Sequence, residues 1–592
     1  MRRCAAVLFA ALFALPLVGA TASADPPQRP VFREGQAQPV FDPAEAVRED
    51  LHVTAPVDSD RDGRPDRVHA QVVRPAETER GLRVPVVYRA SPYFAGGNEV
   101  ANHDVDTELH VPEQQPGARS ARSSAGDRRT AAAARIDWEY EQFFLARGYA
   151  VVYAESLGTG GSTGCPTTGG RNETIGAKAV VDWLNDRAPA RDTAGRPVRA
   201  DWSSGQVGMM GVSYNGTLPN AVASTGVEGL DAIVPIGAIS NWYDYYRSDG
   251  AVVAPGGYQG EDADVLAKFV HTRADREVCR PVIDRIAAEQ DRITGDYNSF
   301  WAQRNYLDDV DDVRAAVLQV HGLNDWNVKT RQAAQWYAEL RERGVPHKIW
   351  WHRSGHTDPI ELREQEWLRE LNRWFTRYLH DVPNGVEDEP RATVQREDGS
   401  WVEEPEWPAP GARSVELRPT AGGRQRGGLA ARGAGEPVVE GLTDDARRLA
   451  RDLAAAPSSP NRLAYFTSPL AEPSRVSGEV RAELALRFDR PAANVTALLV
   501  DQAPDGGVSV VTRGWTDPQN REAVDRTVPI EPGEDYRITV RMQPDDYVFE
   551  PGHRLGLVVL SSDHEFTLRP DPGTGLELDL SRTRLRLPIA ER

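Results

Sequence analysis

Apolar runs and helix-like segments alternate between residues 84 and 379, and this alternation limits the folds open to the chain. Six apolar runs are predicted strands: 84–88, 149–154, 207–212, 230–236, 315–320 and 347–351. Three segments between them have apolar residues at helical spacing: 138–147, 175–186 and 330–343. Strands that alternate with helices build a mostly parallel sheet covered on both faces. The sequence therefore predicts an α/β fold for this part of the chain.

The pattern changes after about residue 383. Pro, Gly and Arg are frequent from 411 to 433, and later segments such as EVRAELALRF and YRITVRM alternate apolar and polar residues. Such period-two segments between turn residues are typical of an antiparallel β-sandwich. We therefore predict a catalytic-type α/β domain over 25–383 and a sandwich domain over 384–592. A charged, helix-like insertion at about 247–306 would cap the carboxyl edge of the sheet.

The first 24 residues have the features of a secretory signal peptide. Arg2 and Arg3 precede an apolar run over 5–18, and Ala22-Ser23-Ala24 supplies a small-residue cleavage site. A membrane anchor is the alternative, but the run is shorter than the roughly 20 residues that span a bilayer. We expect a mature chain that starts at Asp25, is secreted, and has no membrane attachment after cleavage.

Charge and cysteine content point to an exported, non-nucleic-acid-binding protein. The formal net charge is −19, and such an acidic surface argues against nucleic acid as a partner. Signal cleavage leaves Cys165 and Cys279, which are predicted to form a disulfide in an oxidising compartment. Two free buried thiols are the alternative. The sequence makes no prediction of oligomeric state.

Residues 58–66, DSDRDGRPD, resemble the first half of a calcium-binding loop. Asp58, Asp60, Asp62 and Gly63 stand at the expected offsets. The twelfth position is His69, where an EF-hand has a bidentate Glu. The stretch is therefore either a calcium site or an Asp-rich turn before a strand.

The stretch VGMMGVSYNGT, residues 207–217, runs from an apolar strand directly into small and polar residues. A helix that directly follows a buried strand requires a tight turn, and small residues reduce the steric crowding where the strand and the helix meet. Ser213 in that turn would stand at the carboxyl end of the strand, where open α/β sheets bind ligands. Gly211, Ser213, Tyr214 and Gly216 form the pattern G-x-S-Y-x-G. A buried strand that ends in a serine turn without any chemistry is the alternative.

A nucleophilic Ser213 needs a base and an acid that orients the base, in the chain order Ser, Asp, His for this type of fold. Asp325 follows the predicted strand 315–320, and His356 follows the predicted strand 347–351. His321 and His352 are rival bases, but both lie in or at the end of strands, where a structural histidine is expected. We predict that His356 takes the hydroxyl proton while Asp325 fixes its tautomer.

The oxyanion formed during attack needs preorganised donors. One predicted donor is the backbone N–H of Tyr214, the residue after the nucleophile. Tyr93 ends another predicted strand in a Pro-Tyr turn, and its hydroxyl could supply a second donor; ordinary packing of this ring is the alternative.

Four motifs together resemble the X-Pro dipeptidyl-peptidase family of serine hydrolases. They are GVSYNG at 211–216, GLNDWNV at 322–328, SGH at 354–356 and SPY at 91–93. Relatives of this family include cocaine esterase, α-amino-acid ester hydrolases and glutaryl acylases. The resemblance implies an α/β-hydrolase core with a helical cap and a C-terminal jelly-roll domain. It also implies a Ser213, Asp325 and His356 triad with oxyanion donors from Tyr214 and Tyr93.

The resemblance implies a peptide substrate with an N-terminal X-Pro unit, and the reaction needs no metal or organic cofactor. In the stretch NWYDYYRSDG, Trp242, Tyr245 and Tyr246 could wall a proline pocket, and Asp249 could bind the substrate ammonium. Other candidate carboxylates are Asp244, Glu261 and Asp262. An esterase or acylase is the first alternative, and an exported glycan-binding protein with an inactive core is the second. The departures from the family are export and a short N-terminal arm.

Overall fold

A twelve-stranded mixed sheet forms the first domain. The structure is a computed structural model that describes residues 27–112, 122–123, 130–433 and 437–591. The predicted signal peptide lies outside these residues. The strands of the sheet are, in spatial order, Pro197–Val198, Ala190–Asp192, Val47–Thr54, Arg67–Arg74, Ala150–Glu155, Val84–Ser91, Ser203–Val212, Leu230–Ile236, Ala316–Gly322, His347–His352, Ala392–Gln395 and Trp401–Glu404. The seven strands from Ala150–Glu155 to Ala392–Gln395 are parallel.

Helices cover both faces of this sheet, as the sequence pattern predicts. Met209 belongs to the apolar core on one face of the sheet. Met210, the next residue of the same strand, belongs to the core on the other face. The long helices of the domain are Thr130–Leu145, Arg171–Leu184, Tyr214–Ala223, Arg331–Glu342 and Ile360–Leu379. Burial of the central strands on both sides explains their continuous apolar runs. The predicted α/β class is confirmed.

A helical insertion interrupts the alternation after the strand Leu230–Ile236. Its helices are Tyr243–Tyr246, Ala263–Val270, Arg280–Glu289 and Ser299–Ala302, and a short hairpin pairs Arg247–Ser248 with Ala251–Val252. The disulfide between Cys165 and Cys279 ties this insertion to the loop after the strand Ala150–Glu155. Small hairpins also pair Phe32–Arg33 with Gln36–Ala37 and Ala101–Asn102 with Arg122–Ser123.

The second domain is a β-sandwich with one short helix, Ala450–Ala455. Its strands are Arg413–Thr420, Arg426–Ala430, Val439–Thr443, Leu463–Phe466, Ser474–Gly478, Arg481–Phe488, Val495–Gln502, Val508–Thr516, Asp535–Arg541, Asp545–Phe549, Arg554–Leu560, Gly575–Asp579 and Arg584–Ala590. Arg413–Thr420 pairs with Arg584–Ala590 in one layer and with Arg426–Ala430 in the other. One apolar core fills the space between the layers. Nearly all pairs are antiparallel, as predicted.

Within the described ranges, no helix has both the length and the apolar character needed to cross a membrane.

Candidate active site

Ser213 occupies a sharp turn between the strand Ser203–Val212 and the helix Tyr214–Ala223. Its φ angle is +64°, a conformation that side chains rarely adopt outside constrained sites. A Cβ on Gly216 would lie 2.5 Å from the Gly211 carbonyl oxygen, and a Cβ on Gly211 would lie 2.6 Å from the Asn215 carbonyl. The two glycines therefore let the helix begin directly against the strand, and the turn lifts the half-buried Ser213 above the sheet edge.

Asp325 and His356 meet above the same edge. Asp325 follows the strand Ala316–Gly322, and its Oδ1 accepts the backbone N–H groups of Asn327 and Val328 at 3.0 and 2.9 Å. Its Oδ2 lies 2.5 Å from Nδ1 of His356. Burial disfavours the charged carboxylate, but His356 more than offsets this and holds the pKa of Asp325 below its ordinary value. This pair can orient an imidazole and stabilise its cation.

The end of the neighbouring strand connects this pair to Ser213. The N–H of Ser213 donates to the carbonyl of Ile236 at 2.8 Å. A Cβ on the next residue, Gly237, would lie 3.1 Å from Nδ1 of His356 and 3.4 Å from Oδ2 of Asp325. The three predicted triad residues therefore surround one strand end. Nε2 of His356 is buried and has no hydrogen-bond partner within the described part of the chain, so it is available to a nearby hydroxyl.

The rival bases are fully buried. Nε2 of His321 lies 2.7 Å from the Val328 carbonyl, and burial lowers the pKa of this histidine. Burial also lowers the pKa of His352 to about 4. Both lie within strands and remain neutral near pH 7, as expected of structural histidines.

Tyr214 begins its helix, so its backbone N–H has no acceptor within that helix and can face an oxyanion. Its side chain points into the core, where the hydroxyl donates to Oε2 of Glu173 at 2.6 Å and accepts the N–H of Gly169 at 2.9 Å. Glu173 is 1% exposed. The sequence analysis missed this supporting carboxylate, because its signal is only an acidic residue in the first turn of a helix.

A chain of aromatic rings extends from Tyr214 into the insertion. Tyr93 lies with its ring centre 6.0 Å from that of Tyr214, and Trp242 lies 4.9 Å from Tyr214 on the other side. Tyr245 and Tyr246 follow at 5.8 and 6.2 Å from Trp242. The structure therefore groups the ring of Tyr93 and the three predicted aromatic wall residues around the side chain of Tyr214, the residue after the nucleophile.

The predicted carboxylates lie in three different environments. Asp262 pairs with the buried Arg247 at 2.9 Å, so its charge is already neutralised. The backbone of Asp249 binds the sandwich domain through Asp517, and its charged neighbours include Arg541, away from the aromatic chain. Glu261 accepts the Tyr246 hydroxyl at 3.1 Å, which makes it the carboxylate of the aromatic pocket in place of Asp249. Burial raises the pKa of Glu261 to about 7.

Two residues of the loop that carries Asp325 were also missed. Asn327 accepts the Tyr245 hydroxyl at 2.7 Å, and Lys329 donates to the Tyr245 carbonyl at 3.0 Å. Lys329 is 1% exposed. Burial lowers the pKa of Lys329 to about 7, although Asp325 and Asp244 oppose this effect. Asn327 lies within the GLNDWNV stretch, but no sequence pattern marks Lys329.

The aspartate-rich stretch groups a different set of carboxylates from the predicted one. Oxygens of Asp58, Asp60 and Asp66 lie within 4.8 Å of one another. Asp62 lies outside this group and accepts the N–H of Arg64 at 2.8 Å, whereas Asp66, which the sequence analysis did not name, belongs to it. Arg273 binds Asp60 at 2.8 Å and supplies a positive charge beside the group. The carboxylates suit calcium chemically, but Arg273 already satisfies part of their charge.

Two family models match the chain. The model for X-Pro dipeptidyl-peptidase (S15 family) matches residues 62–358. The model for the X-Pro dipeptidyl-peptidase C-terminal non-catalytic domain matches residues 384–590. The first match contains all three predicted triad positions, and the second contains every strand of the sandwich.

Individual proteins are similar over almost the whole chain. A Bacillus anthracis protein provisionally named Xaa-Pro dipeptidyl-peptidase is 46% identical over 565 residues, which cover 95% of this chain and 90% of that protein. The Xaa-Pro dipeptidyl-peptidase of Lacticaseibacillus rhamnosus is 34% identical, with coverages of 94% and 78%. The crystal structure of a CocE/NonD family hydrolase from Staphylococcus aureus has a TM-score of 0.67 at 16% identity, with coverages of 92% and 94%. That structure shares the fold.

Proposed function

The chain belongs to the S15 family of X-Pro dipeptidyl-peptidases and is a serine hydrolase, and from this premise we propose that it releases X-Pro dipeptides from peptide N-termini. One observation carries the substrate assignment: the carboxylate of Glu261 lies at the cluster of Trp242, Tyr245 and Tyr246 and accepts the Tyr246 hydroxyl there. A free N-terminus is cationic near neutral pH, whereas a proline side chain is flat and apolar. The pocket offers a partner for each.

The proposed reaction proceeds through an acyl-enzyme. Oγ of Ser213 attacks the proline carbonyl carbon while Nε2 of His356 takes the hydroxyl proton. The C–N bond then breaks, and His356 returns the proton to the departing amine. Water attacks the ester carbonyl in the same way, with His356 again as the base, and the dipeptide leaves as a carboxylic acid. Asp325 stabilises the imidazolium in both halves.

The developing oxyanion is expected between two donors. The N–H of Tyr214 is fixed by the start of its helix, and the Tyr93 hydroxyl belongs to a ring that packs edge-on against the Tyr214 ring. Donors that are already oriented need no reorganisation during the reaction, and loss of one costs roughly 10² to 10³ in kcat in a comparable site.

Proline is expected to bind against the outer edge of the cluster that Trp242, Tyr245 and Tyr246 form. All three rings are almost completely buried, and the carbonyl of Tyr245 is held by Lys329. A pocket whose walls are fixed before binding loses little conformational entropy when a rigid residue such as proline enters.

We further infer that the protein is secreted. The proposed signal peptide is the first support for this inference. The disulfide between Cys165 and Cys279 is the second, because disulfides persist mainly in oxidising compartments.

The test compares three substrates: Ala-Pro-p-nitroanilide, its N-acetylated form and p-nitrophenyl acetate. We expect the wild-type enzyme to cleave the free anilide and the ester, and Ser213→Ala to lose both activities. N-acetylation removes the ammonium and should lower kcat/KM at least about 100-fold, since the Glu261 carboxylate then loses its cationic partner. Ester cleavage without anilide cleavage would assign the chain to an esterase or acylase function instead.

Glu261→Gln separates the ammonium site from the triad. The substitution should lower kcat/KM for the free anilide about 100-fold and change ester hydrolysis less than about threefold. Asp249→Asn is the matched control and should leave both activities near wild type. Equal anilide activity in Glu261→Gln and wild type would reject this carboxylate as the ammonium partner.

The pH dependence provides a second measurement. Because burial raises the pKa of Glu261 to about 7, its carboxylate is largely protonated below that pH. The ratio of kcat/KM for the anilide to that for the ester should therefore rise through pH 7, since the shared base cancels. It should fall again above about pH 8, where the substrate amine loses its proton. Glu261→Gln should abolish the rise.

A further inference from the structure

One short segment of the sandwich domain contacts both loops that carry the acid and the base. This segment, residues 541–546, connects the strands Asp535–Arg541 and Asp545–Phe549. We call it the clasp. The acid loop, residues 323–330, and the base loop, residues 353–356, belong to the first domain. The clasp therefore lies where the two domains meet, directly behind the candidate triad.

The first half of the clasp binds the end of the acid loop. The Thr330 hydroxyl donates to the Pro544 carbonyl at 2.6 Å, and the N–H of Arg331 donates to Oε1 of Gln543 at 3.2 Å. The guanidinium of Arg331 reaches the Arg541 carbonyl at 3.0 Å. Thr330 and Arg331 are 3% and 7% exposed, so these bonds are shielded from water. They fix the point where the acid loop becomes the helix Arg331–Glu342.

The second half of the clasp binds the base loop. Nη1 of Arg353 lies 3.2 Å from Oδ1 of Asp545 and donates to the Asp546 carbonyl at 3.1 Å. The same guanidinium lies over the Tyr547 ring, 5.3 Å from its centre, and 3.5 Å from Glu397. His356 is only three residues further along the chain.

The clasp itself is rigidly held. Asp545 and Asp546 are each 1% exposed. Asp546 binds Arg475 through both carboxylate oxygens at 2.9 and 2.7 Å, and it also accepts the Ser477 hydroxyl at 2.7 Å. A buried network in which these polar groups are hydrogen-bonded is rigid, so the clasp can hold both loops in fixed positions.

Direct bonds between the two loops close a ring. Nδ2 of Asn324 donates to the Arg353 carbonyl at 2.5 Å, and the N–H of Leu323 donates to the His352 carbonyl at 2.7 Å. The ring runs from Asp325 through the acid loop to the clasp, and returns through the base loop to His356. The bond between Asp325 and His356 completes it. The spacing of acid and base is therefore determined from both sides.

We propose that the clasp of the β-sandwich positions the acid and base of the triad, with Arg353 and Thr330 as the positioning residues. The sandwich then contributes to catalysis without touching the substrate. Catalytic groups on loops need such support, because a displacement of about 1 Å can cost on the order of 100-fold in rate. The proposal depends on the triad but not on the X-Pro specificity.

The experiment measures kcat and KM for both p-nitrophenyl acetate and Ala-Pro-p-nitroanilide. Arg353→Met should lower kcat about 10- to 100-fold for both substrates and keep KM within about threefold, since only acid–base geometry changes. Arg353→Lys retains one donor and should recover kcat to within about fivefold of wild type. Arg487→Met is the matched control, because it removes ion pairs to Asp535 and Glu577 elsewhere in the sandwich. Its kcat should equal that of wild type.

Thr330→Val keeps the test valid if Arg353→Met fails to fold. This change removes one hydrogen bond at nearly constant volume and should lower kcat about 3- to 10-fold at unchanged KM. Circular dichroism and thermal unfolding establish that each variant is folded at the assay temperature. A folded Thr330→Val variant with wild-type kcat overturns the proposal. A result in which the substitutions change KM but leave kcat at the wild-type value also overturns it. If the wild type cleaves only the ester, the substrate assignment fails while the clasp is still tested.

Discussion

The nucleophile turn and the loops that carry the acid and the base are held in place in different ways. Ser213 is fixed by main-chain packing: its N–H donates to Ile236, and its carbonyl accepts the N–H groups of Gly216 and Thr217 at 3.0 and 2.8 Å. Asp325 and His356 are fixed by side chains, including Asn324 and Arg353, some of which reach the second domain.

Because of this difference, the turn and the two loops should be sensitive to different kinds of substitution. The turn depends on the absence of two Cβ atoms, and the Thr217 hydroxyl is the polar side-chain group that donates to the Ser213 carbonyl, at 2.9 Å. The loops have a close main-chain contact of the same type, since a Cβ on Gly322 would lie 2.4 Å from the Ser354 and Gly355 carbonyl oxygens, but they also depend on individual charged and polar groups. Side-chain substitutions should therefore affect the loops most, and added volume at glycine should affect the turn most.

The largest effect is expected at the acid. Asp325→Asn keeps the shape of the side chain but removes the charge that selects the His356 tautomer. We expect kcat to fall about 10⁴-fold for both ester and anilide substrates, with little change in KM. The measurement is steady-state kinetics with burst analysis, and Asp249→Asn serves as a control of equal chemistry. A decrease in kcat of less than about tenfold would mean that catalysis does not depend on the charge of Asp325.

The second effect tests the turn. Gly216→Ala places a Cβ 2.5 Å from the Gly211 carbonyl oxygen, so strand and helix must separate. We expect kcat to fall about 100-fold and the melting temperature to drop by several degrees, since overpacking costs roughly 1 to 3 kcal/mol. Gly441→Ala, where φ is not positive and an added Cβ would lie 3.6 Å from its nearest neighbour, controls for glycine loss alone. Wild-type kcat in Gly216→Ala would show that the turn is not limited by volume.

The third prediction concerns stability and the buried cation of the acid loop. Burial lowers the pKa of Lys329 to about 7, below its value in the unfolded chain. Between about pH 7 and pH 10.4 the unfolded state binds one more proton at Lys329 than the folded state does. The destabilisation of the fold by this residue therefore decreases as the pH rises. The free energy of unfolding of wild type minus that of Lys329→Met should rise by about 1.4 kcal/mol per pH unit above pH 7. Denaturant titrations from pH 6 to 9.5 measure it, and a flat difference would show that the pKa of Lys329 is not lowered in the folded state.

The smallest effect is expected for the side chain beneath the turn. Tyr214→Phe removes the hydrogen bond to Glu173 but leaves the backbone N–H of residue 214 at the same helix start. We expect kcat to change by less than about fivefold, with a loss of roughly 1 to 2 kcal/mol in unfolding free energy. A kcat loss as large as that of Gly216→Ala would mean that the turn also depends on its side chains, and the contrast between the two regions would disappear.

The sequence predicted the elements of the sheet closely because buried parallel strands have an unmistakable composition. The predicted strand 230–236 matches Leu230–Ile236, and the predicted strand 347–351 is one residue shorter than His347–His352. The helix predicted to begin at residue 138 starts at Thr130, because the alanine-rich segment before it lacks an apolar period. Local pattern was sufficient where one face or both faces of an element were buried.

The carboxylates were harder to assign. Asp62 and Asp66 are equally plausible members of an acidic loop, and only the turn of the backbone directs Asp62 to its own main chain. Asp249 and Glu261 are twelve residues apart in one acidic, aromatic insertion, and the packing of that insertion alone places Glu261 against Tyr246. Charge patterns do not specify which partner a carboxylate meets.

The sequence alone predicted the two-domain plan, the family resemblance and the order of Ser213, Asp325 and His356, because composition and the short motif around each residue can be recognised locally. The tertiary structure decided how the triad is supported. Glu173, Lys329 and the clasp act across separations of 41 to more than 190 residues. No local pattern encodes such contacts, since they arise only when the insertion and the sandwich pack against the carboxyl edge of the sheet.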